Sequence, residues 1–187
     1  DNNQASSRST TNSNNTVTLY ENNFDNATID TLTTEGWSGL NQYDMSNGAL
    51  RGKNANAYYN NADAYNWTDY TYETKMTIAT KNASNTVDGY FGIRFGVNSS
   101  GTGIEHGIRY KSTDDSFAYR VYDRINKQFL IAETSLSGKG IALDKQMTLK
   151  VEAKADTFTI YLNGENLGSA TLSNNVTGTV GTLMSTN

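Results

Sequence analysis

Leu149-Lys150-Val151-Glu152-Ala153-Lys154-Ala155-Asp156-Thr157-Phe158-Thr159-Ile160-Tyr161-Leu162-Asn163-Gly164 is the stretch whose reading decides the fold. Met147, Leu149, Val151 and Ala153 alternate with Thr148, Lys150, Glu152 and Lys154, a period of two that places one set on the buried face of a strand and the other in water. An Ala155-Asp156 turn follows, and Phe158, Ile160 and Leu162 then alternate with Thr159 and Tyr161. Asn163-Gly164 closes the next hairpin, because both residues accept the positive φ that a tight type I′ turn demands.

The same period recurs outward from this hairpin. Tyr70, Tyr72, Thr74, Met76 and Ile78 oppose Thr71, Glu73, Lys75 and Thr77, while Phe91, Ile93, Phe95 and Val97 oppose Tyr90, Gly92, Arg94 and Gly96. Further strands are expected at 17–24, 48–53, 104–111, 116–124 and 128–134, between clusters of Gly, Asn, Asp and Ser. No helix-period stretch exceeds about two turns. Many short antiparallel strands predict an all-β fold, a two-sheet sandwich of jelly-roll type, because one open sheet would leave an apolar face in water.

Length and composition bound the rest. At 187 residues the chain is sized for one domain, which can bury roughly 70% of its unfolded surface. Zero Cys and one His, His106, exclude disulfide frameworks, thiolate chemistry and multi-histidine metal sites. Charged residues are 18% of the chain, and 24 Asn, 25 Thr and 16 Ser supply the polarity instead. Such a surface suits neutral, hydrogen-bonding ligands. A net charge of -4 without a Lys/Arg cluster in the sequence argues against nucleic acid, whose phosphates need several grouped cations. No 18-residue apolar run exists, so no membrane insertion is expected. Residues 1–16 hold no apolar side chain larger than Ala5 and read as a flexible polar linker or tail; 17–187 read as a single sandwich domain. The chain opens at Asp1 without a basic or apolar leader, so any signal peptide is expected to have been removed.

The hairpin ending in Tyr161-Leu162-Asn163-Gly164 resembles a hallmark of concanavalin A-like jelly rolls. Leu19-Tyr20-Glu21-Asn22-Asn23-Phe24-Asp25 with Gly36-Trp37 looks like the usual entry strand, and Asn47-Gly48-Ala49-Leu50, Tyr70 to Ile78 and Gly92-Ile93-Arg94-Phe95 follow in the expected order. Across residues 17–184 the chain is similar to laminin-G-like carbohydrate-binding modules, nearest to the fructan-binding family 66. The resemblance implies a non-catalytic module that captures a glycan or polysaccharide for a larger secreted or surface-displayed bacterial protein. It also implies a final strand beyond Gly178-Thr179-Val180-Gly181, lying near the entry strand. Its absence would leave the sheet edge beside 17–24 open.

Chemistry is narrowed by spacing. Retaining glycosidases need two carboxyls about 5 to 5.5 Å apart, which on one strand means acids two positions apart, and no two acids here have that spacing. A glycoside hydrolase therefore remains only as an alternative that needs a cross-strand pair. The other alternative is an adhesin domain that binds a host or matrix protein by adding a strand to the open edge. His106 shares the parity of Ile104, Ile108 and Tyr110 and reads as a core residue. If Phe91, Ile93, Phe95, Ile104 and Ile108 face the core, then Tyr90, Arg94, Glu105, Arg109, Arg120 and Tyr122 project outward together. Arginine forks and a carboxylate suit sugar hydroxyls, which accept from one and donate to the other. The resemblance also places an arginine at the strand of Arg94 in the similar modules. Tyr58, Tyr59, Tyr65 and Trp67 cluster in an Asn-rich loop as candidate stacking rings, with loop anchoring favoured for Trp67 and at least one of the tyrosines. Glu21, Asn23 and Asp25 present alternating oxygens, so a structural calcium held by Glu21 and Asp25 is the one cofactor expectation.

Overall fold

The computed structural model describes residues 6–9, 16–52, 54–80 and 89–186. Its strands are β1 (Ser6–Ser9), β2 (Thr16–Tyr20), β3 (Trp37–Ser38), β4 (Tyr43–Ser46), β5 (Ala49–Gly52), β6 (Tyr58–Tyr59), β7 (Tyr70–Met76), β8 (Gly89–Val97), β9 (Ile104–Lys111), β10 (Ser116–Asp123), β11 (Gln128–Ser135), β12 (Met147–Lys154), β13 (Thr157–Leu162), β14 (Glu165–Thr171) and β15 (Thr179–Thr186). One short helix, α1 (Ile29–Glu35), starts at a Thr28 capping box with Thr31 and buries Leu32.

The strands form the antiparallel sandwich that the alternation predicts. A six-stranded sheet runs β14-β13-β12-β7-β1-β2, a seven-stranded sheet runs β11-β10-β9-β8-β15-β6-β3, and β4-β5 stand as a separate hairpin. In the hairpin that opened the sequence reading, Leu149 pairs with Leu162, Val151 with Ile160 and Ala153 with Phe158, and all six are buried. Asn163 and Gly164 adopt φ of 50° and 82°, the left-handed values of the predicted turn. Ala155, at φ 51°, takes a conformation that costs an alanine energy. Both of its backbone groups are held: its N–H donates to Asp69 Oδ1 at 2.7 Å and its carbonyl accepts from the Val176 N–H at 2.7 Å.

The sheets meet through side chains of alternating parity. Phe95 of β8 packs edge-on against Phe158 of β13, with centroids 5.0 Å apart. Tyr70 and Tyr72 of β7 cross the interface with their hydroxyls satisfied, the first accepting from the Gly96 N–H at 2.8 Å and the second donating to the Gly181 carbonyl at 3.3 Å.

Three features depart from the sequence reading. Ser6–Ser9, expected within a flexible tail, runs as a strand between β2 and β7. The slot offers backbone partners on both sides, so pairing there does not depend on burying an apolar side chain. The rest of that tail, 1–5 and 10–15, lies outside the described residues. The entry strand stops at Tyr20 because Asn22 and Asn23 turn the chain: their side-chain oxygens accept from the Phe24 and Asp25 N–H groups at 2.7 and 3.1 Å. Finally, β15 pairs with β8 and β6 in the seven-stranded sheet, while β2 ends the six-stranded sheet with one edge unpaired among the described residues.

Candidate functional site

The outer face of the seven-stranded sheet gathers seven of the eight ligand residues expected from the sequence. Strand register writes a single row across six strands: Tyr58 of β6, Gly181 of β15, Arg94 of β8, Glu105 of β9, Tyr122 of β10 and Phe129 of β11. The next row is Leu183, Gly92, Gly107 and Arg120, and the one beyond is Ser185, Tyr90, Arg109, Ala118 and Ser135. Glycine in the middle row is a packing requirement. A Cβ on Gly92 would collide with the His106 carbonyl, and one on Gly107 would come 3.0 Å from Leu183 Cδ2 and 3.2 Å from Tyr90 Cβ.

Tyr59 is the exception. Neighbouring residues on a strand point to opposite faces, so an outward Tyr58 sends Tyr59 into the core. There it stacks on Trp67 at 5.7 Å and packs against Tyr20 at 4.6 Å and Trp37 at 6.2 Å. It is removed from the candidate set. Trp67 is buried in the same cluster, and Tyr65 donates to Asn60 Oδ1 within its own loop.

Arg94 faces outward but is buried. Its Nε donates to the Thr182 carbonyl at 2.7 Å, Nη2 to the Ala57 carbonyl at 3.0 Å and Nη1 to the Gly101 carbonyl, with the Tyr58 ring 6.0 Å away. Burial pulls its pKa below the ordinary arginine value, and neighbouring Glu105 opposes that shift. The guanidinium thus ties together the strand of Thr182, the segment of Ala57 and the loop of Gly101. Its place in the fold is that of a staple beneath the site.

Glu105 is likewise buried, and Arg124 grips it with a two-pronged contact of 3.1 and 2.8 Å. Arg124 also lies 4.7 Å from the Tyr122 ring centre, and its bond to Glu105 raises its own pKa. Farther along the face, Arg109 donates to both oxygens of Glu133 at 3.3 and 3.1 Å, Lys111 approaches it at 3.9 Å, and the Tyr90 hydroxyl donates to it as well. The Tyr90 bond first, and Arg109 next, hold the Glu133 carboxyl below the usual range.

Arg120 lies flat against Tyr90, its guanidinium carbon 3.5 Å from the ring centre, with Tyr122 and Phe129 each at 5.6 Å. Phe129 stands edge-on to Tyr122 at 5.0 Å and is 57% exposed. Glu133, Arg124 and Phe129 were not among the sequence candidates. For Phe129 the missing step was carrying the outward parity of β10 across the β10–β11 hairpin, which sets it opposite Tyr122.

Neither carboxylate on this face suits acid catalysis, which needs a proton held near neutral pH. Glu133 is shifted the opposite way, and Glu105 is clamped by Arg124. His106 is fully buried between the sheets; burial pushes its pKa down to about 4, partly offset by the backbone of Arg120 and Tyr161. At the expected calcium loop, Asn23 Nδ2 donates to Asp25 Oδ2 at 2.8 Å and Glu21 is exposed. No group of three or more His, Asp or Glu side chains gathers among the described residues, so a calcium there would draw most of its six to eight oxygens from carbonyls and water. Among the described residues no helix is long and apolar enough to cross a membrane.

No protein-family model and no curated protein matches the chain. Among solved structures, the carbohydrate-binding module CBM66 from Bacillus subtilis superposes with a TM-score of 0.58 at 20% identity, over 81% of this chain and 89% of that one. Weaker similarity extends to sheep galectin-11 in complex with glycerol (TM-score 0.42, 9% identity, 64% and 84% covered). The carbohydrate recognition domain of Emp46p in a potassium-bound form gives a TM-score of 0.49 at 11% identity, with 86% and 84% covered. These last two fall below the level that bears on the argument. The fold is the concanavalin A-like jelly-roll sandwich that the Tyr-Leu-Asn-Gly hairpin implied.

Proposed function

We propose that this domain is a non-catalytic carbohydrate-binding module whose ligand lies on the outer face of the seven-stranded sheet, within a larger secreted or surface-displayed protein. The observation that carries the proposal is the register itself, which brings Tyr90, Arg120, Tyr122 and Phe129 into one continuous aromatic and guanidinium platform. Rings of this kind cover the C–H faces of sugars while arginine N–H groups reach their oxygens. Similarity of fold to a carbohydrate-binding module adds support. Both carboxylates of the face are already neutralised by arginine, which favours capture over hydrolysis. The fructan preference implied by resemblance enters as one ligand to include in the test.

The test is a glycan array probed with the purified chain, followed by calorimetry of the best hit against the wild type and Tyr122→Ala. The expected result is a hit whose affinity falls at least about tenfold in the variant, since stacking on one ring contributes roughly 1 to 2 kcal/mol. The rival reading, an adhesin domain that takes a partner strand, draws on β2, an edge strand without Pro or charge and with Val17 52% exposed. An array without hits, beside a positive protein overlay, would favour it.

A further inference from the structure

The outer face carries charge that the whole chain lacks. Arg94, Arg109, Lys111, Arg120 and Arg124 stand on it against Glu105 and Glu133, a local excess of three positive charges on a chain of net charge -4. Most of that charge has a partner. Arg94 is spread over three carbonyls, Arg124 holds Glu105, and Arg109 and Lys111 share Glu133.

Arg120 differs. Its side chain has no carboxylate or carbonyl acceptor among the described residues, and its Nε is buried without a hydrogen bond. The stack on Tyr90 fixes the guanidinium plane and leaves the N–H edges as its unsatisfied groups. A planar fork held by stacking, in a locally cationic surface, matches a carboxylate, which accepts two parallel N–H bonds; a neutral hydroxyl pair would leave the charge uncompensated.

Resting on the glycan-binding reading above, we infer that the ligand is an acidic glycan, and that a carboxylate of a uronic acid, sialic acid or pyruvate ketal docks on the edge of Arg120 while its sugar ring lies beside Tyr122 and Phe129. This replaces the neutral ligand that composition alone suggests, because the composition of the whole chain averages away the charge of one face.

The experiment is a panel of carboxylated glycans, each printed beside its carboxyl-reduced counterpart, together with neutral glycans including fructan, probed with wild type, Arg120→Gln and Arg120→Lys. The inference expects binding to at least one carboxylated member, loss of about tenfold or more on carboxyl reduction, and a similar loss in Arg120→Gln. It also expects partial retention in Arg120→Lys, which keeps the charge without the fork. Thermal melts of both variants should lie close to wild type. Binding confined to neutral glycans, or indifferent to carboxyl reduction, overturns the acidic ligand and leaves the glycan reading standing. No binding to any member overturns both.

Discussion

Arg94→Ala is expected to destabilise the domain by about 3 kcal/mol, because buried carbonyls lose a charged donor that water cannot replace. For a domain of this size that corresponds to a melting temperature roughly 6 to 12 °C lower. Its guanidinium reaches Thr182, Ala57 and Gly101 from a buried position, so the change loosens three segments together. Arg94→Lys should recover little, since an ammonium cannot span three acceptors arranged round a planar fork. By contrast, Arg120 is only half-buried and rests on ring contacts, so its replacement should move the melt far less. Thermal denaturation followed by circular dichroism checks the pair. An Arg94→Ala domain that melts like wild type yet fails to bind glycan would make Arg94 a ligand contact instead.

Acid should weaken the fold through His106. In the unfolded chain its imidazole titrates near 6.5; in the folded chain burial holds it neutral down to about 4. The unfolded state therefore binds the proton first. Stability from this residue is fully present above pH 6.5 and is lost as pH falls from 6.5 to 4, where the native group titrates too. That shift corresponds to roughly 3 kcal/mol at the acid end. Urea denaturation at a series of pH values measures it. His106→Met, which fills the space beside Ile93 and Val121 on the same register row, should flatten the curve in that window while leaving the carboxylate losses at lower pH. Equal slopes for wild type and variant between pH 6.5 and 4 would contradict the buried neutral imidazole.

How far the sequence foretells this molecule depends on the range of the interaction. Period-two alternation is a local property, so the β9 and β12 strands fall at 104–111 and 147–154 as expected, and the Asn163-Gly164 turn has the predicted conformation. Outward parity also follows locally, which is why Tyr90, Arg109, Arg120 and Tyr122 share a face. What does not follow locally is the partner of each side chain. The engagement of Arg94 with carbonyls of residues 57, 101 and 182, and of Glu105 with Arg124, depends on strands and loops distant in the chain. A cluster of Tyr58, Tyr59, Tyr65 and Trp67 looks uniform in sequence, yet a strand of two residues sends Tyr58 outward and Tyr59 into the core. The strand at Ser6–Ser9 escaped because its pairing lies in the backbone, to which composition gives no clue.

Glycan contact on the outer face of the seven-stranded sheet is tested most directly by a 15N NMR titration of the domain with the strongest ligand from the glycan array. Backbone amides and arginine Nε–Hε signals would be followed together. Shifts should concentrate on Tyr90, Gly107, Arg109, Arg120, Tyr122 and Phe129, with the Arg120 Nε–Hε signal among the largest. Shifts gathered instead on the opposite sheet, around Lys150, Glu152 and Tyr161, or along the β2 edge, would contradict the assignment of the site.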